Sequence, residues 1–337
     1  MESAFLKRNE LMITKLDSSV ISALRFPLII GVVCIHCGYG GAFLQYLLGG
    51  ICGKLSVPIF LLISGYLFFR EGSYELTKEL WISKFKKRIF SLLVPYLLWN
   101  FIGYIIYAIK VGFDFEDFFH SFWVIDIPGR SGSSPIDGPL WYVRNLMIMV
   151  VISPIISYMV KYTKWYLILI MTILWIIQIP PFNKGIGIAF YFFSLGGYLR
   201  MFDHHVENLQ RYAKYLIIAY PIYVIYAFLM QLNSDSWDFQ LGMLLGIGAI
   251  FSLTIHFIKC GCGNCKFTKI LSETSFFIYC LHDLLLQFLK PFFSEILGTG
   301  DSAYISLVVV DIALCLGFFY VLKRISPKVT SLLMGGR

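Results

Sequence analysis

Long apolar segments separated by short polar breaks make up most of this chain. Segments of about 20 residues are long enough to cross the hydrocarbon core of a bilayer as helices. The pattern predicts ten spans, at residues 19–38, 49–69, 89–109, 138–160, 165–181, 185–202, 212–231, 239–259, 271–290 and 303–323. The fifth and sixth are short and are joined by Pro180-Pro181, so either could be broken or partly re-entrant. We therefore predict an all-α, polytopic helical bundle of about ten transmembrane helices.

Composition supports a membrane location. Of the 337 residues, 58% are hydrophobic and only 14% are charged, whereas soluble domains average roughly 25% charged residues. Strands with unpaired edges cannot lie in lipid, which leaves a helical bundle as the fold. The eight cysteines show no disulfide framework. We predict a short N-terminal segment at 1–18, one membrane domain at 19–323 and a tail at 324–337.

Charge gives the bundle an orientation. If the N-terminus is cytoplasmic, most of the 28 Lys and Arg residues fall on cytoplasmic segments. The positive-inside rule therefore predicts that both termini are cytoplasmic. The net charge of +8 then requires no nucleic acid as a partner. The basic run from Lys84 to Arg88 can be read as a membrane-edge anchor or as a region that attracts anionic substrates.

Two polar residues interrupt the first apolar span. Arg25 and His36 are eleven residues apart, so they project from nearly the same helix face, roughly 16 Å apart along its axis. Polar groups inside a bilayer are costly and often functional. We predict that His36 moves protons and that Arg25 binds an anion. The alternatives are a structural histidine and an arginine that reaches the headgroups.

The ninth span carries a second histidine. Ser275, Tyr279 and His282 follow i, i+4, i+7 spacing, which predicts one polar stripe that faces the bundle interior. His36 and His282 lie at similar distances into their spans, so we expect that the two could meet. A neutral imidazole there can take a proton from a hydroxyl and return it to a leaving group. Hydrogen bonds between helices are the competing explanation for His282.

The fourth span opens with a cluster of aromatic and hydrogen-bonding side chains. Trp141, Tyr142, Arg144 and Asn145 lie within a turn or two of the outer surface. Such a cluster suits sugar rings, although it is equally typical of an interfacial aromatic belt. The acidic, aromatic loop at about 110–137 precedes it. A loop of that length is usually functional or disordered.

Other chemistry has less support. His256, Cys260, Cys262 and Cys265 could bind zinc, but Cys-x-Cys is a tight spacing, and we interpret these thiols as reduced surface groups and assign no metal. The chain has no P-loop, no Gly-x-Ser-x-Gly elbow and no His-Glu-x-x-His. These absences argue against ATP-driven transport, soluble-type hydrolases and zinc proteolysis.

The order of several motifs resembles one known family. They are Arg25-x10-His36, Pro58-x5-Ser64-Gly-Tyr66, the basic run to Arg88 followed by Pro95-Tyr96, Leu140-Trp141, and Ser272-x2-Ser275-x3-Tyr279-x2-His282. This order is similar to that of the bacterial integral-membrane acyltransferase family 3, which O-acylates sugars of surface polysaccharides. One departure is Ser91, which stands where an Arg-x-x-Arg motif often places its second arginine.

The resemblance implies a membrane acyltransferase domain at 19–323 in the bacterial cytoplasmic membrane. It implies acetyl-CoA, or another acyl-CoA, as a co-substrate used from the cytoplasmic side, with no permanently bound cofactor. It also implies a glycan or lipid-linked sugar acceptor met at or beyond the outer leaflet. In that family the residues equivalent to Arg25 and His36 are the ones most closely tied to activity.

We therefore predict three groups of site residues. The catalytic group is His36, Arg25 and His282; the donor-binding group is Arg25, Lys84, Lys87, Arg88, Ser275 and Tyr279; the acceptor-binding group is Trp141, Tyr142, Arg144 and Asn145. His36 would act as the general base, or as a relay that carries the acyl group. A transporter of lipid-linked sugars, for which Asp311 in the tenth span is the main argument, and a ligand-binding sensor are the alternatives.

Overall fold

The computed structural model describes residues 15–39, 43–69, 76–113, 135–261 and 266–336, and these residues form helices without strands. We number the helices in chain order. They are α1 Lys15–His36, α2 Gln45–Phe68, α3 Lys78–Val111, α4 Trp141–Thr163, α5 Trp165–Ile176, α6 Gly185–Met201, α7 Ala213–Leu229, α8 Trp237–Lys259, α9 Lys266–Leu297, α10 Asp301–Ile325 and α11 Pro327–Leu333.

The first ten helices correspond to the ten predicted spans. In the described part of the chain, eight helices are long and apolar enough to cross a membrane; α7 is one of them when the 3-10 helix Val206–Tyr212 that leads into it is included. The other two of these ten, α5 and α6, have 12 and 17 residues and coincide with the two predicted spans that looked short. The polytopic helical bundle is therefore confirmed. Helices α3 and α9 extend beyond their predicted spans, to 34 and 32 residues, because their polar ends continue in helical conformation.

Small residues bring α2 and α6 into backbone contact. A Cβ atom at Gly65 would overlap the carbonyl group of Phe193, and one at Gly196 would overlap that of Leu62. Close helix approach of this kind is what glycines permit in membrane proteins. The two helices therefore form a rigid pair beside α1.

Helix α1, which carries Arg25 and His36, packs against several other helices. It packs against α2, α8, α9 and α10, and Val20, Val33 and Cys37 in and just after it are fully buried. Ser22 donates a hydrogen bond to Ser272 at one end of the α1–α9 contact, at 3.4 Å. His36 and His282 meet near the other end. The two helices therefore run in the same direction, and their polar stripes face each other.

The C-terminal segment folds back onto the bundle. Helix α11 begins two residues after α10 and packs on α3, where the indole of Trp99 donates a hydrogen bond to the Leu333 carbonyl at 3.1 Å. Gly335 follows with φ +72°, and a Cβ there would overlap the Ser91 carbonyl. The segment predicted as a tail thus contributes a short helix to the bundle.

Candidate active site

A cavity of about 510 Å³ runs between the helices beside α1. Arg25 and Val32 of α1 both line it, as do Ser272 and Tyr279 of α9. Each pair is seven residues apart, so the cavity follows both helices for about 10 Å. Its other polar or charged lining residues are Ser64, Arg88, Tyr142, Glu273, Ser275, Lys323, Thr330 and Ser331.

Three basic side chains surround this cavity. Arg25, Arg88 and Lys323 come from three different helices, and Lys323 forms an ion pair at 3.8 Å with Glu273. Arginine and lysine are the side chains that bind phosphate groups. The cavity therefore combines a cationic region with an apolar channel along α1.

The predicted donor-binding residues separate into two groups. Arg25, Arg88, Ser275 and Tyr279 line the cavity. Lys84 and Lys87 do not. The ammonium group of Lys84 donates a hydrogen bond to the carbonyl of Phe68 and lies 5.0 Å from the centre of its ring, so it secures the end of α2. Lys87 is exposed on the outside of α3.

The two predicted histidines do meet. The ring centres of His36 and His282 are 5.2 Å apart, with an angle of 73° between the ring planes. The Nδ1 atom of His36 lies 3.5 Å from Oδ1 of Asp283, the residue that follows His282. Sequence reasoning did not single out Asp283. A carboxylate inside an apolar span was the available signal.

His282 is held in one tautomer. Its Nδ1 atom lies 2.8 Å from the carbonyl oxygen of Tyr279 and 3.1 Å from that of Ile278. Both oxygens can only accept, so we assign the Nδ1 hydrogen as the donor. The Nε2 atom is buried and has no hydrogen-bond partner among the described residues. A neutral His282 therefore presents an unused acceptor beside His36.

Tyr279 lies between the cavity and the two imidazole rings. It lines the cavity, and its ring centre is 6.4 Å from that of His282. Its hydroxyl donates a hydrogen bond to the Pro139 carbonyl. The ring centre of Tyr142 is 5.9 Å away, and the Tyr142 hydroxyl lies 3.2 Å from Ser64 Oγ. These contacts hold Tyr279 in place as the wall at the end of the cavity that is nearest to the two imidazole rings.

Two further carboxyl groups are buried in this region. Asp137 and Asp311 are fully buried, and none of their carboxyl oxygens has a hydrogen-bond partner among the described residues. A Cβ at Gly138 would lie 3.3 Å from Oδ2 of Asp283, so the chain beside Asp137 contacts the carboxylate next to His36. Burial, reinforced by the charge of Asp283, raises the pKa of Asp137 well above its ordinary value.

The predicted acceptor-binding residues also separate into one that lines the cavity and others that do not. Tyr142 lines the cavity with Arg25. Trp141 and Asn145 pack at the start of α6, where a Cβ at Gly185 would lie 3.0 Å from the Trp141 ring and 3.2 Å from the Asn145 amide. Arg144 donates a hydrogen bond from Nε to Oδ1 of Asn145 at 3.4 Å. Acceptor binding by these residues stays a prediction.

Two predicted features fall partly outside the described residues. Most of the loop at 110–137, with His120, lies there, and so do Cys262 and Cys265 of the cysteine cluster. His256 Nε2 is 3.7 Å from Cys260 Sγ. In the part of the chain that the structure describes, no group of three His, Cys, Asp or Glu side chains could hold a metal ion.

Comparison with known proteins adds one family and one relative. The model of an acyltransferase domain matches residues 19–324. The succinoglycan biosynthesis protein ExoH of Rhizobium meliloti (strain 1021) is 24% identical over 358 residues, which cover 95% of this chain and 92% of that protein. No solved structure matches the chain.

Proposed function

We propose a specific reaction for this chain, which belongs to the acyltransferase 3 family as a multi-pass bacterial membrane protein. It transfers an acyl group, an acetyl group in our proposal, from acyl-CoA to a sugar hydroxyl of a surface polysaccharide. The similarity to ExoH, a succinoglycan biosynthesis protein, supports a polysaccharide acceptor. The charge pattern supports a cytoplasmic donor side.

The cavity supports binding of the donor. Its volume of about 510 Å³ lies within the range of about 300–1,000 Å³ that is usual for small-molecule sites. The phosphates of coenzyme A would bind Arg25, Arg88 and Lys323, and the acyl-pantetheine arm would extend along α1 towards Tyr279. Val32 also lines this cavity, one helical turn before His36, so the arm directs the thioester towards the imidazole pair.

The observation that carries the proposal is the contact between His36 and Asp283. A carboxylate that accepts the Nδ1 hydrogen of His36 leaves Nε2 as a base. His36 then removes the proton of a sugar hydroxyl, and the sugar oxygen attacks the thioester carbonyl. The carbon–sulfur bond breaks, the sugar ester forms, and His36 returns the proton to the departing thiolate. A variant route passes the acyl group through His36 before the sugar receives it.

His282 supports the same chemistry. Its Nδ1 hydrogen is engaged by backbone carbonyl oxygens, and its Nε2 acceptor is buried beside the His36 ring. In this arrangement His282 tunes the basicity of His36, and Tyr279 positions the thioester at the end of the cavity.

Mass spectrometry of surface glycans tests the proposal. We expect glycans from cells that carry the protein to be heavier by one acyl group than those from a deletion strain, and the difference identifies the acyl group. A His36→Ala variant that inserts normally should give the deletion result, whereas His204→Ala, at an exposed histidine, should give the wild-type result. Wild-type acylation by the His36→Ala variant contradicts the proposal.

Binding of coenzyme A separates this function from its rivals. A ligand that binds only the folded protein raises its thermal stability. The acyltransferase should therefore be stabilised by coenzyme A in detergent. A transporter of lipid-linked sugars or a sugar sensor should not respond, whatever the role of the buried Asp311.

A further inference from the structure

A second cavity lies at the His36 end of α1. It has a volume of about 560 Å³ and opens between the end of α1, the first turns of α2 and the end of α7. Ile35 lines it, and the next residue in the chain is His36. We call it the Lys54 groove, lined by Ile35, Phe43, Gln45, Tyr46, Gly49, Gly50, Lys54, Phe228 and Gln231.

Aromatic rings form one wall of the Lys54 groove. Phe43 is 48% exposed, and its ring packs edge-on against Phe228 with 4.8 Å between centres. The hydroxyl of Tyr46 donates to the carbonyl oxygens of Ala227 and Leu232, at 3.1 and 3.0 Å. These bonds join α2 to the end of α7. The wall is therefore fixed, and it offers apolar surface to a ligand.

Polar groups complete the groove. Lys54 is half-buried, and its ammonium group lies 5.7 Å from the centre of the Phe239 ring. The charge of Asp235 acts on it, but no carboxylate of the described residues lies within the 4.0 Å of an ion pair. Gln45 accepts a hydrogen bond at 3.1 Å from the backbone of Tyr39, three residues after His36. Gln231 donates to the Phe228 carbonyl at 2.8 Å. A half-buried ammonium group without a carboxylate in direct contact can still bind an oxyanion brought by a ligand.

We infer that the Lys54 groove binds an anionic glycan, with a sugar ring on the aromatic wall and an oxyanion at Lys54. The combination of rings, amides and one cation carries this assignment, because sugar rings present apolar C–H faces and hydrogen-bonding edges together. The volume of about 560 Å³ suits a small oligosaccharide, within the usual range of about 300–1,000 Å³. The inference rests on the proposed function, since it supplies the acceptor beside His36.

The oxyanion could be a sugar carboxylate or the diphosphate of a lipid-linked sugar, and binding measurements distinguish the two. The probes are trigalacturonate, its neutral methyl ester and a polyprenyl diphosphate, each titrated against the full-length protein in nanodiscs. We expect the wild type to prefer one of the two anionic probes. Lys54→Gln should weaken that binding about tenfold, the value of one hydrogen bond to a charged group. Lys54→Arg should restore it.

A second groove variant and one control complete the test. Phe228→Leu should weaken trigalacturonate binding without changing the affinity for coenzyme A, and Lys214→Gln, at an exposed lysine on the same helix, should change neither. If no probe binds, or if Lys54→Gln and Phe228→Leu both bind like the wild type, the inference is wrong.

Glycan acylation in cells separates this inference from the proposed function. Loss of acylation in the Lys54→Gln strain, with coenzyme A binding retained, supports both. Normal acylation in the Lys54→Gln and Phe228→Leu strains overturns the inference that the Lys54 groove binds the acceptor, and leaves the proposed function standing. A wild type that never acylates glycan, yet binds the anionic probe through Lys54, overturns the proposed function and leaves the groove intact.

Discussion

His36 Nδ1 and Asp283 Oδ1 lie 3.5 Å apart, although the two residues belong to the first and ninth helices. The parallel packing of α1 and α9 brings them together. A carboxylate beside a histidine orients its ring and fixes which nitrogen carries the hydrogen. The contact therefore gives the candidate site a defined base.

The first prediction concerns this contact. Asp283→Asn should lower kcat for acyl transfer by about 10²-fold or more, since general base catalysis contributes roughly 10²–10⁴, and it should leave the KM for acyl-CoA nearly unchanged. The amide keeps the size of the side chain but no longer stabilises the imidazolium.

Steady-state kinetics in nanodiscs measures both effects. Glu295→Gln, at an exposed acid on the same helix, is the matched control and should behave like the wild type. An Asp283→Asn enzyme with wild-type kcat would show that the carboxylate only supports the structure.

The second prediction concerns the cationic region of the cavity. Arg88 lines the cavity, whereas its neighbour Lys87 is exposed. Arg88→Gln should raise the KM for acyl-CoA about tenfold or more, because a hydrogen bond to a charged group is worth about 1.5–3 kcal/mol. Lys87→Gln should leave it within about twofold, since exposed charges contribute little.

Competition by coenzyme A provides an independent readout. The inhibition constant should follow the KM in the Arg88→Gln variant and stay unchanged in the Lys87→Gln variant. Equal effects of the two substitutions would argue that donor binding follows the general surface charge rather than the cavity.

Hydropathy predicted the fold well, because lipid demands long apolar helices and leaves few other solutions. The i, i+4, i+7 stripe likewise placed Ser275, Tyr279 and His282 inside the bundle, where they are buried. The contacts between side chains of different helices were harder to predict from the sequence. Asp283 contacts His36 only because α1 and α9 pack side by side, and Thr330 and Ser331 of α11 reach the cavity through a fold-back that hydropathy does not encode.

The third prediction concerns the backbone contact between α2 and α6. Gly196→Ala should destabilise the protein by at least about 2 kcal/mol, since overpacking against a rigid backbone costs about 1–3 kcal/mol or more. Gly317→Ala is the matched control, because a Cβ there meets open space. Thermal unfolding in detergent should show a lowered midpoint for Gly196→Ala alone. Equal midpoints for the two variants would contradict the tight packing.

The last prediction concerns Asp137, whose pKa is raised by burial. In the unfolded chain the pKa of an aspartate is about 3.9. At pH values between that and the raised pKa of the folded state, Asp137 is protonated in the folded protein and ionised in the unfolded chain. Stability from this group therefore falls as pH rises through the window. Asp137→Asn removes the free-energy cost of folding that comes from burying an ionised carboxylate or from protonating it. The variant should unfold at a higher temperature than the wild type at pH 7, with a smaller difference at pH 4.5.

The exposed Asp235 provides the control, and Asp235→Asn should shift the midpoint little at either pH. Thermal unfolding of the three proteins in the same detergent makes the comparison. A lower midpoint for Asp137→Asn at pH 7 would contradict the prediction, since it would mean that the ionised carboxylate has a stabilising partner. The raised pKa follows from burial beside Asp283, so Asp283→Asn should also reduce the pH dependence of the Asp137 effect.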